Sequence, residues 1–290
     1  QVFDTLARVS LSAWLVNTAL IGLATALGAY RWHLAARRQI PLRICLSYYW
    51  LGIFYSYVLP GSLAGDVART AALATQLPSH RTALLPVSVF LDRLGGLTTT
   101  LLVLLLAWAA MSWPHQNQSL VMAVVLTGAA SLITFPLLAH RLFSRLVRIS
   151  WLPSLLKKIG GSLLPALGEI SLRLWLRIIA LSIVIHAITC CSYAWSAQAT
   201  GVDGELWRIA LYYAVFNLAV LLPITIAGFG LREQSAVWLL GKEGAAGIAS
   251  VALSWFVLAT TLVHVLIGAL LHLRLMFKPR PSPATLHDDV

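Results

Sequence analysis

Apolar runs separated by short polar stretches fill nearly the whole chain. Five runs, at about 11–30, 83–111, 120–138, 178–199 and 245–271, reach the length of about 20 residues that a helix needs to cross hydrocarbon. Two further apolar segments, 42–77 and 206–240, are interrupted by Pro, Gly and charge. Hydrocarbon does not tolerate such breaks in a lipid-facing helix, so both breaks are expected to face protein or a cavity.

The two interruptions match. Leu59-Pro60-Gly61-Ser62-Leu63-Ala64-Gly65-Asp66-Val67-Ala68-Arg69 returns as Leu222-Pro223-Ile224-Thr225-Ile226-Ala227-Gly228-Phe229-Gly230-Leu231-Arg232, with Leu-Pro, Ala-Gly and Arg at the same spacing. At the same offset Tyr49 answers Tyr212 and Trp32 answers Trp195. Paired breaks in the two halves of a membrane chain point to a transporter's binding site.

Basic loops set the orientation. Arg31, Arg37, Arg38 and Arg43 form one cluster, Arg141, Arg145, Arg148, Lys157 and Lys158 a second, and Arg274, Lys278 and Arg280 a third. The connection 112–119 carries no Lys or Arg, and 201–205 is acidic. The three basic clusters, and with them the C-terminus, are expected in the cytoplasm, and the other two loops outside. Segment 42–77 then enters from the cytoplasm, turns near Pro60 and returns, while 206–240 does the same from the opposite face around Pro223. Parity leaves a re-entrant hairpin and two full crossings equally open. Either way the halves are antiparallel, as an inverted-topology repeat requires.

The expected architecture is an all-α polytopic membrane protein, one integral-membrane domain over 1–290. Repeat halves lie at about 9–112 and 119–273, a cytoplasmic linker at 140–171 and a disordered Pro-rich tail at 278–290. The second half has one span more than the first, so symmetry calls for a further helix before Gln1. The opening Gln1-Val2-Phe3-Asp4, without Met, agrees with a chain that starts inside a longer one.

Composition excludes several classes. Hydrophobic residues make up 59% and charged residues 11% of the chain, more apolar surface than a soluble globule hides. The net charge of +11 sits between apolar segments rather than on a basic soluble domain, which argues against nucleic-acid binding. Cys45, Cys190 and Cys191 show no metal-type spacing, and no metal or cofactor is expected. There is no His-Glu-x-x-His, no Gly-x-Ser-x-Gly and no P-loop, so the chain is not expected to be an enzyme or a primary pump.

Ionised residues inside a membrane are costly and usually face a cavity or a partner. Arg69 and Arg232 are equivalent in the repeat and lie about two turns past the breaks. Helix N-termini at the breaks, with Gly65, Gly228 and Gly230 permitting close approach, suit an anion, and an arginine fork nearby suits a phosphate. The plainer alternative is internal pairing of Asp66 with Arg69 at i, i+3. Asp66 and Glu233 read either as helix caps or as site carboxylates. Asp92 and Arg93 read as part of the headgroup site or as an anchor at the inner interface. His186 and His264 read as packing histidines or as a proton relay, and the tryptophans, Trp32 included, as interface belts.

Four pieces carry a resemblance: Ala29-Tyr30-Arg31-Trp32, Leu59-Pro60-Gly61 with Gly65-Asp66 and Arg69, Asp92-Arg93-Leu94, and Pro223 with Gly228-Phe229-Gly230-Leu231-Arg232-Glu233. In this order they resemble the transmembrane region of the lysylphosphatidylglycerol synthase/flippase family, in its stand-alone form without an aminoacyl-transferase domain. Ala64 and Ala227 stand where the family has its first Gly, and Asp92 where it has Glu. The resemblance implies translocation of a polar lipid between leaflets of a bacterial inner membrane. The cargo would be an anionic or phosphate-bearing membrane lipid, and a lipid-synthesising enzyme a possible partner. A small-solute secondary transporter, and a non-catalytic partner or enzyme of lipid-linked glycan or isoprenoid pathways, remain the competing readings.

Overall fold

The computed structural model describes residues 1–59, 62–82, 84–112, 118–119, 121–130, 134, 171–221, 228–241 and 246–277. Pro60, Gly61, Pro223, part of the expected span at 120–138 (its second half save residue 134), nearly all of the linker at 140–171 and the tail at 278–290 lie outside the described residues.

The described residues form helices and no strands. These are α1 (Val2–Ala7), α2 (Leu11–Ala35), α3 (Leu42–Val58), α4 (Ser62–Ala74), α5 (Ser79–Thr82) and α6 (Leu85–Ser112). They continue with α7 (Val121–Ala130), α8 (Leu172–Thr200), α9 (Leu206–Ala219), α10 (Leu231–Leu240) and α11 (Ala246–Phe277). Among them α2, α6, α8 and α11 are long and apolar enough to cross a bilayer. With a mean hydropathy of +0.82, the protein is an all-α polytopic membrane protein. Leu15, Leu23, Leu106, Leu266 and Leu270 stay exposed on the bundle, as lipid-facing side chains do.

Local chemistry sets the ends of these helices. The Ser10 hydroxyl accepts from the Ala13 N–H and that of Ser171 from Leu174 N–H, each capping a long helix. Gly201 closes α8 in the left-handed region at φ +73°, where a side chain would be strained.

The long helices are longer than the apolar runs suggest. α2 extends past 30 to Ala35 and α8 starts at Leu172. Arg31, read from the sequence as a cytoplasmic loop residue, is therefore a helix residue, and it is buried. Hydropathy ends a span at the first cation, whereas an ion-paired cation does not end a helix. Trp32, read as an interface residue, is likewise wholly buried: its Nε1–H donates to Ser88 Oγ at 3.0 Å.

Helices recur in the same order on either side of α7. The sequence α2, α3, α4, α6 is matched by α8, α9, α10, α11 at nearly the offset of the repeated motif. α2 and α8 pack against each other most extensively, and the halves interlock, α3 against α11 and α9 against α6. Among the described residues two of the three buried apolar clusters are rich in aromatic rings. One gathers Trp32, Tyr48, Leu51 and Leu73, the other Tyr193, Tyr212, Tyr213 and Phe216.

Asn17 ties three of the long helices together. It donates to Thr260 Oγ1 at 2.9 Å and accepts from Ser192 Oγ at 2.6 Å, joining α2 to α11 and α8. Asn17→Ala should lower stability by about 1 kcal/mol, since hydrogen bonds between membrane helices average below that each. Thermal unfolding in detergent against wild type measures it.

Candidate functional site

Five charged side chains form an alternating chain inside the bundle. Arg31 donates Nε–H to Asp92 Oδ1 at 2.7 Å, and the second Asp92 oxygen faces Arg69 Nη2 at 3.5 Å. Arg69 Nη2 also pairs with Asp66 Oδ1 at 2.8 Å, and the other Asp66 oxygen accepts from Arg93 Nε. Each carboxylate thus bridges two guanidinium groups, which offsets the cost of keeping either charge from water. At its far end Arg31 Nη1 donates to Ser182 Oγ at 2.8 Å, anchoring the chain on α8.

The sequence builds a fitted slot for Arg69. Its guanidinium lies 4.3 Å from the centre of the Trp32 ring and 4.5 Å from that of Tyr49, both at cation–π distance. Gly52 leaves room for its aliphatic stem, because a Cβ there would meet Arg69 Cδ at 2.6 Å. Arg69 is only 2% exposed and Asp92 1%. Asp92 is therefore not an interfacial anchor but the shared partner of two arginines. Adjacency to Arg93 made the pair look self-contained, whereas consecutive helix residues point apart and Asp92 faces α2 and α4. The Arg93 side chain is the most open of the five, at 37%.

Asp66 does not cap α4. It lies beyond the first turn of Ser62–Ala74, and its carboxylate is spent on Arg69 and Arg93. Glu233 is the capping residue: Oε2 accepts from the Gly230 N–H at 2.8 Å and Oε1 from Ser254 Oγ at 3.3 Å. The positive end of α10 therefore already faces a carboxylate. Gly228 and Gly230, at φ +75° and +81°, supply the left-handed backbone of this turn. The absent side chain of Gly65 is used in helix packing, as a Cβ would run into Ser56 Oγ and the Gly52 carbonyl of α3.

Arg232 is buried in the equivalent position of the second half, with different neighbours. Nη2 donates to Tyr57 Oη at 3.5 Å, and the guanidinium lies 4.8 Å from the Phe216 ring centre. It does not join the five-residue chain. His186 and His264 are not paired either. His264 bonds Trp50 and the Thr18 carbonyl, while His186 lies between Thr99, Thr100 and the Ser182 carbonyl.

A cavity of about 620 Å³ opens beside the charged chain. All five charged residues line it, with Tyr49, Ser56 and Tyr57 of α3, Thr100 of α6, His186 of α8 and Asn217 of α9 among the other wall residues. Sequence reading missed Arg31, Tyr49, Thr100 and Asn217 as wall residues. Two signals were available, the recurrence of Tyr49 at Tyr212 and the place of Arg31 in a motif piece of the family resemblance.

This arrangement of apolar spans and motif arginines meets an independent finding. The profile described as the lysylphosphatidylglycerol synthase TM region matches residues 1–277. The chain belongs to that family. No curated protein and no solved structure matches it. Membership in the lysylphosphatidylglycerol synthase TM family, together with the four long apolar helices, makes the chain an integral membrane protein with a lipid-related role.

Proposed function

We propose that this chain moves a polar, phosphate-bearing lipid between membrane leaflets, holding the headgroup in the 620 Å³ cavity while the acyl chains stay in the bilayer. The observation that carries the reading is charge. Among the described wall residues three arginines, Arg31, Arg69 and Arg93, face two carboxylates, Asp66 and Asp92. One phosphodiester would bring the set to balance, where an ionised group crossing bare hydrocarbon meets a barrier of at least about 2.5–3.5 kcal/mol.

Arg93 is the first phosphate contact in this scheme. It is the most open of the arginines, and its fork suits phosphate oxygens. Arg69, engaged by two carboxylates and two rings, holds the carboxylates in register, and Arg232 supports the wall through Tyr57. A phosphate at Arg93 competes with Asp66. α4 packs extensively along α3 and meets α6 at fewer places, among them the Asp66–Arg93 and Arg69–Asp92 pairs and the apolar cluster of Leu73 with Leu85. Exchange of one pair for the ligand would loosen α4 from α6, which supports opening of the cavity on loading. The matched order of helices supports an inverted repeat, in which α9 and α10 would act from the opposite face.

Proteoliposomes containing acyl-labelled phosphatidylglycerol, with the outer leaflet quenched chemically, test this. Arg93→Ala should slow translocation at least about tenfold, the value of one charge-assisted hydrogen bond. Arg93→Lys should restore part of it, keeping the charge without the fork. A folded Arg93→Ala protein that moves the lipid at the wild-type rate would overturn the proposal.

A further inference from the structure

The two ends of the bundle differ in charge. α2 runs antiparallel to α8, with Ala35 against Trp175 at one end and Asn17 bonded to Ser192 further along. The described carboxylates keep away from the Ala35 end. Asp66 and Asp92 are held in the ion-pair chain and Glu233 caps α10, while Asp4, Asp203 and Glu205 stand by the start of α2 and the end of α8. At the Ala35 end Arg37 and Arg38, on the turn after α2, and Arg173 and Arg177, on the first turns of α8, are all exposed. This is the end that the positive-inside rule assigns to the cytoplasm.

Two open grooves meet among these arginines. One, of about 440 Å³, is lined by Arg37, Arg38, Ser171 and Arg177 over Leu34 and Leu174. The other, of about 560 Å³, runs along Leu172, Leu176 and Ala180 beside Arg173 and Arg177. Arg177 lines both, so the grooves adjoin. Leu172, Leu176 and Ala180 form an exposed apolar stripe at intervals of four residues. Arg173 and Arg177 follow the same spacing beside it, about 6 Å apart along the axis. The frame is fixed from behind: Trp175 and Ile178 are wholly buried, packed with Ala35 and Leu91. The turn is fixed too. Arg37 N–H donates to the Leu34 carbonyl and Arg38 N–H to that of His33, both at 2.9 Å, and His33 Nδ1 lies 2.7 Å from the Ile40 carbonyl. Arg37 and Arg38 take φ of +51° and +61°, so arginine stands where the backbone alone favours Gly or Asn.

We propose that this double groove holds an anionic phospholipid of the surrounding leaflet as a resident lipid, with its phosphate among Arg37, Arg38 and Arg177 and one acyl chain along Leu172, Leu176 and Ala180. Both halves of the ligand are matched. Guanidinium forks fit phosphate oxygens, and the apolar stripe leads from them along α8 into the hydrocarbon. Basic pockets between membrane helices on the cytoplasmic side bind phosphate-bearing headgroups, and that leaflet carries the negative surface charge. The linker that precedes α8 is a poor occupant: Arg141, Arg145, Arg148, Lys157 and Lys158 outweigh Glu169, which gives it the sign of the groove itself. A lipid seated here bridges the end of α2 to the start of α8, the helices that Arg31 and Ser182 join in the interior. It braces the bundle from outside, apart from the central cavity, and does not depend on the translocation of any lipid.

Phosphatidylglycerol and phosphatidylcholine with identical acyl chains provide the test, each titrated against the purified full chain in neutral detergent, with retained lipid counted by native mass spectrometry. Arg93→Ala is the background, so that the central cavity does not supply the signal. In it phosphatidylglycerol should still bind about tenfold or more tightly than phosphatidylcholine, the value of one charge-assisted hydrogen bond. Adding Arg37→Gln, Arg38→Gln and Arg177→Gln together should abolish the difference. Equal retention of the two lipids before the triple change overturns the site, and so does a preference that survives it. Photoreactive acyl chains locate the lipid without any substitution. On the wild-type chain phosphatidylglycerol so labelled should mark residues 172–180 several-fold more than labelled phosphatidylcholine, and equal marking overturns the site even if the variants misfold. Transport by Arg93→Ala decides the cargo reading and these titrations decide the groove, so either can fail alone.

Discussion

Asp92→Ala is expected to destabilise the protein more than loss of any other member of the charge network, by about 3–5 kcal/mol, the usual cost of stranding a buried partner. Asp92 sits between Arg31 and Arg69, and all three are buried, so the substitution leaves two guanidinium groups facing each other without the bridging carboxylate. Repulsion then acts between α2 and α4, at the centre of the bundle. Arg93→Ala removes a half-exposed terminal member and should cost far less stability while costing transport. The contrast is the measurement: thermal unfolding in detergent for both variants, beside leaflet-resolved transport for Arg93→Ala. A well-folded Asp92→Ala protein with a wild-type melting temperature would show that the ion pairs are not what holds α4 and α6 in place. Asp92→Glu, which restores the residue expected from the family resemblance, should fold and retain activity.

Gly65→Val is expected to disrupt the packing of α4 on α3 altogether. Its Cβ would enter the space of Ser56 Oγ and the Gly52 carbonyl and come within 2.9 Å of the Ser56 backbone nitrogen. Helix backbone of α3 cannot yield as a flexible side chain does, so α4 must move away. Overpacking alone costs about 1–3 kcal/mol. Here the displacement also draws Arg69 out of the slot formed by Gly52, Trp32 and Tyr49 and lengthens its ion pairs. Size-exclusion profiles and melting curves should show misassembled or strongly destabilised protein, and Gly65→Ala a milder version of the same defect. A stable, monodisperse Gly65→Val protein would mean that α3 and α4 are not packed through this glycine. At Gly230, where a Cβ meets nothing within 4 Å, the requirement is the positive φ rather than space.

Much of the molecule is written in the order of its residues. Long apolar runs must become helices in hydrocarbon, because no other element there satisfies its own backbone, so the polytopic all-α class follows from hydropathy. The repeated Leu-Pro, Ala-Gly and Arg pattern marked the segments that carry Asp66 and Arg69 before any contact was visible. Family membership was legible in the same motifs, which recur across nearly the full chain.

Tertiary structure alone decided which charges meet. Arg31 and Asp92 are distant in sequence, and hydropathy assigned one to a loop and left the other near an interface. Burial of each is affordable only because the other is there, and a pairing between helices leaves no trace in local periodicity. The two motif arginines, identical in sequence context, came to different surroundings, Arg69 among carboxylates and aromatic rings, Arg232 against Tyr57 and Phe216. Gly65 and Glu233, candidates for holding an anion, serve a helix contact and a helix cap, because the nearest atoms in space rather than along the chain determine what a glycine or a carboxylate does. Local sequence fixes what each segment can be in a membrane. The cavity, and the one surplus positive charge among its described wall residues, depend on how seven helices pack, and that is a property of distances no single segment contains.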